Sequence, residues 1–171
     1  GSEMCIRDSG LDALEDVLKT ARTQTYPPVE SWSPSIERDI GLRVDARGIW
    51  SYQNSPIERP ALIKLFASVL HRGENGRYSL VTPVERIWLD VAFAPLLAVE
   101  VSKAQHDGHD VLILRTNVDD QIIVDQDHPI WVEEDEPSRQ PRPFVRVRGR
   151  IDALLSRALF YELVELSLIH I

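Results

Sequence analysis

From Tyr78 to Ile151 the chain settles into one rhythm: hydrophobic residues recur at every second position in short runs separated by brief connections. The runs are Tyr78 to Val81, Val84 to Val91, Leu96 to Val101, Val111 to Asn117, Gln121 to Asp125, Ile130 to Val132 and Phe144 to Ile151. A period of two marks strands that bury one face. Most connections are too short to hold a crossover helix, so the runs are expected to pair as a largely antiparallel meander.

Upstream the pattern is mixed. Leu11, Leu14, Val17 and Leu18 recur at helical spacing, which predicts a short amphipathic helix over Leu11 to Arg22 that Tyr26-Pro27-Pro28 stops. Ile40, Leu42 and Val44 alternate with polar residues, and Ile49 to Tyr52 follows Ala46-Arg47-Gly48, which predicts a hairpin. Pro60 suits the first position of a helix whose Leu62, Ile63, Phe66, Val69 and Leu70 form one apolar face before Gly73 and Gly76 end it. After the meander, Asp152 is expected to cap a last helix carrying Leu154, Leu155, Leu159, Leu163 and Leu166. Helix, hairpin, helix, meander, helix is an α+β order. Two small lobes are expected, over residues 10–81 and 82–165, meeting near Val81 to Pro83.

The two ends read differently from the rest. Gly1 to Ser9 (GSEMCIRDS) and Leu166 to Ile171 (LSLIHI) correspond to translated library-adapter DNA, so both are set aside from the fold as adapter-derived tails. This removes the one Cys and the one Met of the chain. A cysteine-free body suits a reducing compartment, and the cytoplasm is the expected location. With 19 basic against 27 acidic side chains the net charge is −8, which opposes a broad grip on nucleic acid or an anionic membrane. No apolar run approaches the roughly 20 residues of a membrane span. The expectation is therefore a protein with neither nucleic acid nor membrane as partner.

Several segments, taken in order, resemble the bacterial family catalogued as domain of unknown function 1285. They are Asp39-Ile40-Gly41-Leu42-Arg43-Val44, Gly48-Ile49-Trp50-Ser51-Tyr52, and Pro56-Ile57-Glu58-Arg59-Pro60 leading into Leu65-Phe66-Ala67-Ser68-Val69-Leu70. Further on come Leu80-Val81-Thr82-Pro83-Val84-Glu85, Arg115-Thr116-Asn117-Val118, Asp127-His128-Pro129-Ile130, Phe144-Val145-Arg146-Val147-Arg148-Gly149 and Phe160-Tyr161-Glu162-Leu163-Val164-Glu165. The resemblance implies two small α+β lobes in an unusual fold with a cleft between them, a nucleotide-like small ligand, and a role in signalling. It brings no catalytic motif. The acidic stretch Glu133 to Pro143 departs from the family pattern and suggests a longer loop.

Six residues stand out as candidate ligand contacts. Arg115 and Asn117 end a strand otherwise built of Val111 to Leu114, and a guanidinium patterned for burial needs a carboxylate or an anionic ligand. Glu85 falls in phase with Ile87, Leu89 and Val91 and is positioned to orient an arginine. For all three the plainer reading is a structural ion pair. Arg59 precedes the helix that starts at Pro60, where free N–H groups favour an anion, although an exposed arginine is an ordinary surface residue. His128, in Asp127-His128-Pro129, has the makings of an acid–base or metal group, against which stands simple turn chemistry. Arg148 belongs to a basic stripe with Arg142, Arg146 and Arg150; pairing with Glu133, Glu134, Asp135 and Glu136 accounts for most of the stripe and leaves Arg148 to face a ligand.

Other features read as structural. His106, Asp107, His109 and Asp110 flank Gly108 at a hairpin tip whose side chains splay, so they form a polar loop and no metal site. Trp32, Trp50, Trp88 and Trp131 are spread along the chain as core or contact residues. None of the glycine-rich phosphate loops, nucleophile elbows or paired-cysteine zinc patterns is present. The reading that follows is a non-enzymatic module binding a small anionic, nucleotide-like molecule between two lobes, with no cofactor and no metal. The rivals are a protein-interaction module working through strand edges or an apolar patch of tryptophans and the terminal helix, and a hydrolase or transferase using Asp127, His128 and Glu85.

Overall fold

The computed structural model describes residues 26–106, 108–136 and 138–165. The helix expected over Leu11 to Arg22, both tails, Leu166 and Asp107 lie outside the described residues. The chain divides into two units. The first comprises the described residues up to Arg43 together with Ile49–Asp90, and the second takes Val44–Gly48 and the described residues from Val91 onward.

Among its described residues the first unit is a six-stranded sheet with one α-helix and a short 3-10 turn at Val29–Ser31. Its strands are β1 (Ile36–Val44), β2 (Trp50–Tyr52), β3 (Ser55–Pro56), β4 (Leu70–Arg72), β5 (Tyr78–Val81) and β6 (Glu85–Val91), in the order β3-β2-β1-β6-β5-β4. The β2–β3 link is a two-residue hairpin in which Gln53 (φ 48°) and Asn54 (φ 68°) are both left-handed, the geometry that matches the twist of the strands it joins. Helix α1 (Pro60–Ser68) opens on the proline and buries Leu62, Leu65 and Phe66. Phe66 packs at 6.3 Å from the fully buried ring of Trp50.

Two expectations are corrected here. Helix α1 stops at Ser68 and does not run on through Leu70: the Ser68 hydroxyl donates to the Leu65 carbonyl at 2.6 Å, and Leu70 leaves the helix to pair with Leu80 as β4. The first unit also reaches further than Val81, because β6 pairs antiparallel with β5 in the same sheet. The division accordingly falls between Asp90 and Val91.

The second unit is another six-stranded sheet, with strands β7 (Leu96–His106), β8 (His109–Thr116), β9 (Gln121–Ile123), β10 (Ile130–Asp135), β11 (Gln140–Arg148) and β12 (Ile151–Leu155), and a closing helix α2 (Arg157–Glu165). The order β10-β11-β12-β7-β8-β9 is antiparallel at four junctions and parallel at one, where β12 lies beside β7 with Leu154 opposite Leu97. The fold is therefore α+β with mostly β content, in two lobes.

Strand β12 is the main departure from the pattern-based expectation of a helix opening at Asp152. Ile151, Asp152, Ala153 and Leu155 are all buried, since β12 has a neighbour on each side and an interior on both faces. Such a strand reads as a continuous apolar run, which periodicity cannot tell from a helix. The cap is Ser156: its hydroxyl accepts from the Leu159 N–H at 3.2 Å and its carbonyl from the Phe160 N–H at 2.9 Å. Leu159 and Leu163 then point into the core as expected.

Candidate ligand-binding site

Five of the six residues singled out from the sequence have named protein partners. Glu85 accepts two hydrogen bonds from Arg38 on β1, from Nε at 2.9 Å and Nη2 at 3.2 Å. It does orient an arginine, though none of those expected. Arg115 bridges Glu100 and Asp119, each at 3.2 Å, and the Glu100 hydrogen bond is the main reason its pKa rises above the usual arginine range. Its strand neighbours Leu114 and Thr116 are the buried ones, so Arg115 sits on the half-exposed face. Asn117 exchanges hydrogen bonds with Leu97: its N–H donates to the Leu97 carbonyl at 2.8 Å, and its Oδ1 accepts from the Leu97 N–H at 3.0 Å. This stitches the β8–β9 turn to the start of β7.

Arg148 donates to Asp120 at 3.2 Å. Its neighbours on the stripe are paired as well, Arg142 with Asp135 at 2.8 Å and Arg146 with Asp152. Only the first of these partners comes from the acidic stretch Glu133 to Glu136. That stretch forms the end of β10 and its turn into β11.

His128 is held through Asp125: its Nδ1 lies 2.9 Å from Asp125 Oδ1, which also accepts the backbone N–H groups of Asp127 and His128. The His128 hydrogen bond is the first cause of the lowered Asp125 pKa. The histidine's carboxylate is Asp125, and Asp127 contributes only a backbone donor. Arg59 is the residue before α1 and makes no side-chain cap to the helix. Arg59 and Glu85 belong to the first unit, and Arg115, Asn117, His128 and Arg148 to the second.

The described residues of the second unit line an open cavity of about 700 Å³. It exists because β11 outruns its neighbour. Strand β12 pairs with β11 from Phe144 onward and then ends at Leu155, so Gln140 to Pro143 keep only β10 beside them. Pro141 and Pro143 mark that one-sided stretch, because proline cannot donate to a second ladder. The space left beside them is closed by Leu97, Leu154, Leu155 and the start of α2, with Ala46 and Arg47 from the β1–β2 turn.

Four arginines line this cavity: Arg47, Arg139, Arg142 and Arg157. Arg47 is paired with Asp45 at 3.4 Å. Arg142 is paired with Asp135 and also lies over the Phe93 ring, 3.6 Å from its centre. Arg139 and Arg157 make no side-chain ion pair or hydrogen bond among the described residues, and no Asp or Glu is among the described lining residues. Arg139 adopts a left-handed backbone conformation (φ 57°), an uncommon choice for a residue with a side chain. Phe160 and Tyr161 complete the wall, with ring centres 6.2 Å apart and Tyr161 exposed.

Concave shape, apolar surface and a few uncompensated cations are what a small organic anion requires. None of Arg47, Arg139, Arg157 and Tyr161 was singled out from the sequence. They come from three separate segments that only β11 and β12 bring together. The legible signal was the alternating Pro141 and Pro143, which announce a strand with one open edge.

Comparison with known proteins places the fold. Residues 27–94 match the profile described as "Domain of unknown function (DUF1285), N-terminal domain", and residues 95–171 match "Protein of unknown function (DUF1285), C-terminal domain". The chain belongs to the DUF1285 family. A DUF1285 family protein from Silicibacter pomeroyi DSS-3 has a similar crystal structure, with 38% identity and a TM-score of 0.75 over 88% of this chain and 83% of that one. Another, from Shewanella baltica OS155, is similar at 26% identity and a TM-score of 0.57 over 73% of this chain and 91% of that one. No curated protein matches. The boundary between the two DUF1285 profiles lies close to the division between the structural units.

Among the described residues, no three His, Cys, Asp or Glu side chains are grouped to hold a metal ion, and no helix is long and apolar enough to cross a membrane.

Proposed function

We propose that this DUF1285 protein is a binding module for a small organic anion, and that the anion sits in the cavity of the second unit. One observation carries the reading: Arg139 and Arg157, both without an ion-pair partner among the described residues, line the same cavity of about 700 Å³. Ligand cavities for drug-sized molecules run about 300–1,000 Å³. Arg115, Asn117 and Arg148, first considered as ligand contacts, serve the protein's own turns and strands in this account. The nucleotide-like ligand and signalling role implied by the family resemblance fit an arginine-rich cavity with an exposed tyrosine ring. The cysteine-free body is in keeping with work in a reducing compartment.

The interaction-module rival draws on strand edges or an apolar patch of tryptophans and the terminal helix, but Trp50 is buried and Trp32, Trp88 and Trp131 are half-buried. Its proposed use of strand edges meets an obstacle at Pro141 and Pro143, since an edge with prolines cannot accept an added strand there. The hydrolase reading needs Asp127 beside His128, and the side chain in that place is Asp125.

The test is thermal unfolding against a panel of nucleotides, cyclic dinucleotides, phosphorylated metabolites and dicarboxylates. A ligand at about 100 times its Kd adds roughly 2.7 kcal/mol, which for a chain of this size is a rise of several degrees. The rise is expected in the wild type and lost in Arg139→Gly and Arg157→Ala. A stoichiometric protein partner with no response to any anion would favour the interaction module instead.

A further inference from the structure

We infer that the ligand of this cavity is a dianion of a particular form, a terminal phosphate monoester joined to an apolar organic body. The inference rests on the anion-binding reading above and adds the charge and shape of the bound group. The charge follows from a count. Of the four lining arginines, Arg47 is balanced by Asp45 and Arg142 by Asp135, at 3.4 and 2.8 Å. Arg139 and Arg157 have no such carboxylate among the described residues.

Two arginines without an ion-pair partner among the described residues therefore line this cavity, in a protein whose net charge is −8. Both guanidinium groups are exposed to solvent, so their value to an anion lies in two cations lining one concave surface that also offers apolar contact. A monoanion would answer one of the two arginines. A phosphate monoester carries between −1.5 and −2 at pH 7 and presents three acceptor oxygens, and the guanidinium fork suits phosphate bidentately.

The apolar body follows from the rest of the wall. Half-buried Leu97 and Leu154 and exposed Pro141 and Tyr161 line the same space, and inorganic phosphate would leave their apolar surface uncovered. An apolar group there removes that surface from water, which supplies binding free energy independent of the charge.

Calorimetric titration of the full chain with three probes tests this: phenyl phosphate, phenyl sulfate and inorganic phosphate. Phenyl sulfate has nearly the same shape and a single charge that does not titrate. Phenyl phosphate is expected to bind at least tenfold more tightly than either of the others at pH 7.5. Its affinity should fall as the pH drops through about 6, where the monoester takes up its second proton, while that of phenyl sulfate stays level. Arg157→Ala should remove the preference for phosphate over sulfate. So should Arg139→Gly, which suits the left-handed backbone and isolates loss of charge from loss of fold.

Equal affinity for phenyl phosphate and phenyl sulfate would overturn the dianion and leave the cavity standing. If neither phenyl anion binds, but another anion of the panel binds in a way that depends on Arg139 and Arg157, the monoester is wrong and the cavity reading holds. If no anion binds, both fail.

Discussion

Arg148 and Asp120 meet at 3.2 Å across 28 residues of sequence, with about a fifth of each side chain or less exposed (22% and 16%). Arg148 ends β11 and Asp120 closes the turn into β9, two strands separated in the sheet by β12, β7 and β8. The pair ties the β8–β9 turn to the end of β11. It is a structural device, and it occupies an arginine that the strand pattern marks as available to a ligand.

Removing that arginine should therefore weaken the fold and leave ligand binding intact. A hydrogen bond between charged groups contributes about 1.5–3 kcal/mol when partly shielded from water. Arg148→Ala is expected to destabilise by about 2 kcal/mol and lower Tm by about 4–8 °C. Chemical denaturation gives the free energy, and calorimetric titration with an anion of the panel gives the affinity. A weakened affinity with unchanged stability would return Arg148 to the ligand.

The Asp125–His128 contact predicts a pH dependence. Asp125 is held below the ordinary carboxylate range, first by the His128 hydrogen bond and then by backbone N–H donors. A carboxylate whose pKa falls on folding stabilises the folded state above its unfolded value, near about 3.9, and that contribution disappears as the pH drops through the lower folded value. Asp125→Asn keeps an oxygen to accept the Asp127 and His128 N–H groups and discards the charge. It should be less stable than the wild type at pH 5 to 6, with the gap closing below about pH 3. A gap that does not vary with pH would mean that the charge of Asp125 contributes nothing.

Ser156 is expected to set where α2 begins. Ser156→Ala removes the oxygen that receives the Leu159 N–H, at a cost of about 1 kcal/mol. Because Ser156 also lines the cavity, the same variant reads out whether a properly started α2 matters for anion affinity. Denaturant titration measures the first effect and calorimetric titration the second.

In the first unit, Phe66→Ala should cost about 3–5 kcal/mol, since the ring is fully buried against Trp50. Unfolding followed by tryptophan fluorescence should show the loss in the transition that reports Trp50.

How far the sequence carried varied by element, for physical reasons. The alternating run at Val84 to Val91 became β6 because that strand buries one face, at Ile87 and Leu89, which is what alternation records, whereas Tyr78 to Val81 became β5, a strand buried at every position. Pro60 placed the start of α1, and Phe66 and Leu62 its inner face. Pattern failed at Leu70, where a three-residue strand is too short to show a period, and at Ile151–Leu155, where burial on both faces erases the alternation. For the site, the oddities noticed first were charges set among apolar residues, as at Glu85 and Arg115. These prove to be the charges the fold had to pair internally, with Arg38, Glu100 and Asp119. Arg139 and Arg157 look unremarkable in sequence because a turn and a helix start are ordinary places for arginine, and only the ending of β12 beside β11 brings them to one cavity.

The central claim is that the two arginines without ion-pair partners, and not the paired ones, hold the ligand. Calorimetric titration with the anion of the panel that raises Tm most, performed side by side on wild type, the double variant Arg139→Gly/Arg157→Ala, and Arg148→Ala, tests it directly. The account predicts that the double variant loses affinity by a hundredfold or more, at about tenfold or more per charged contact, while Arg148→Ala binds as the wild type does. Full affinity in the double variant, or loss confined to Arg148→Ala, would contradict it.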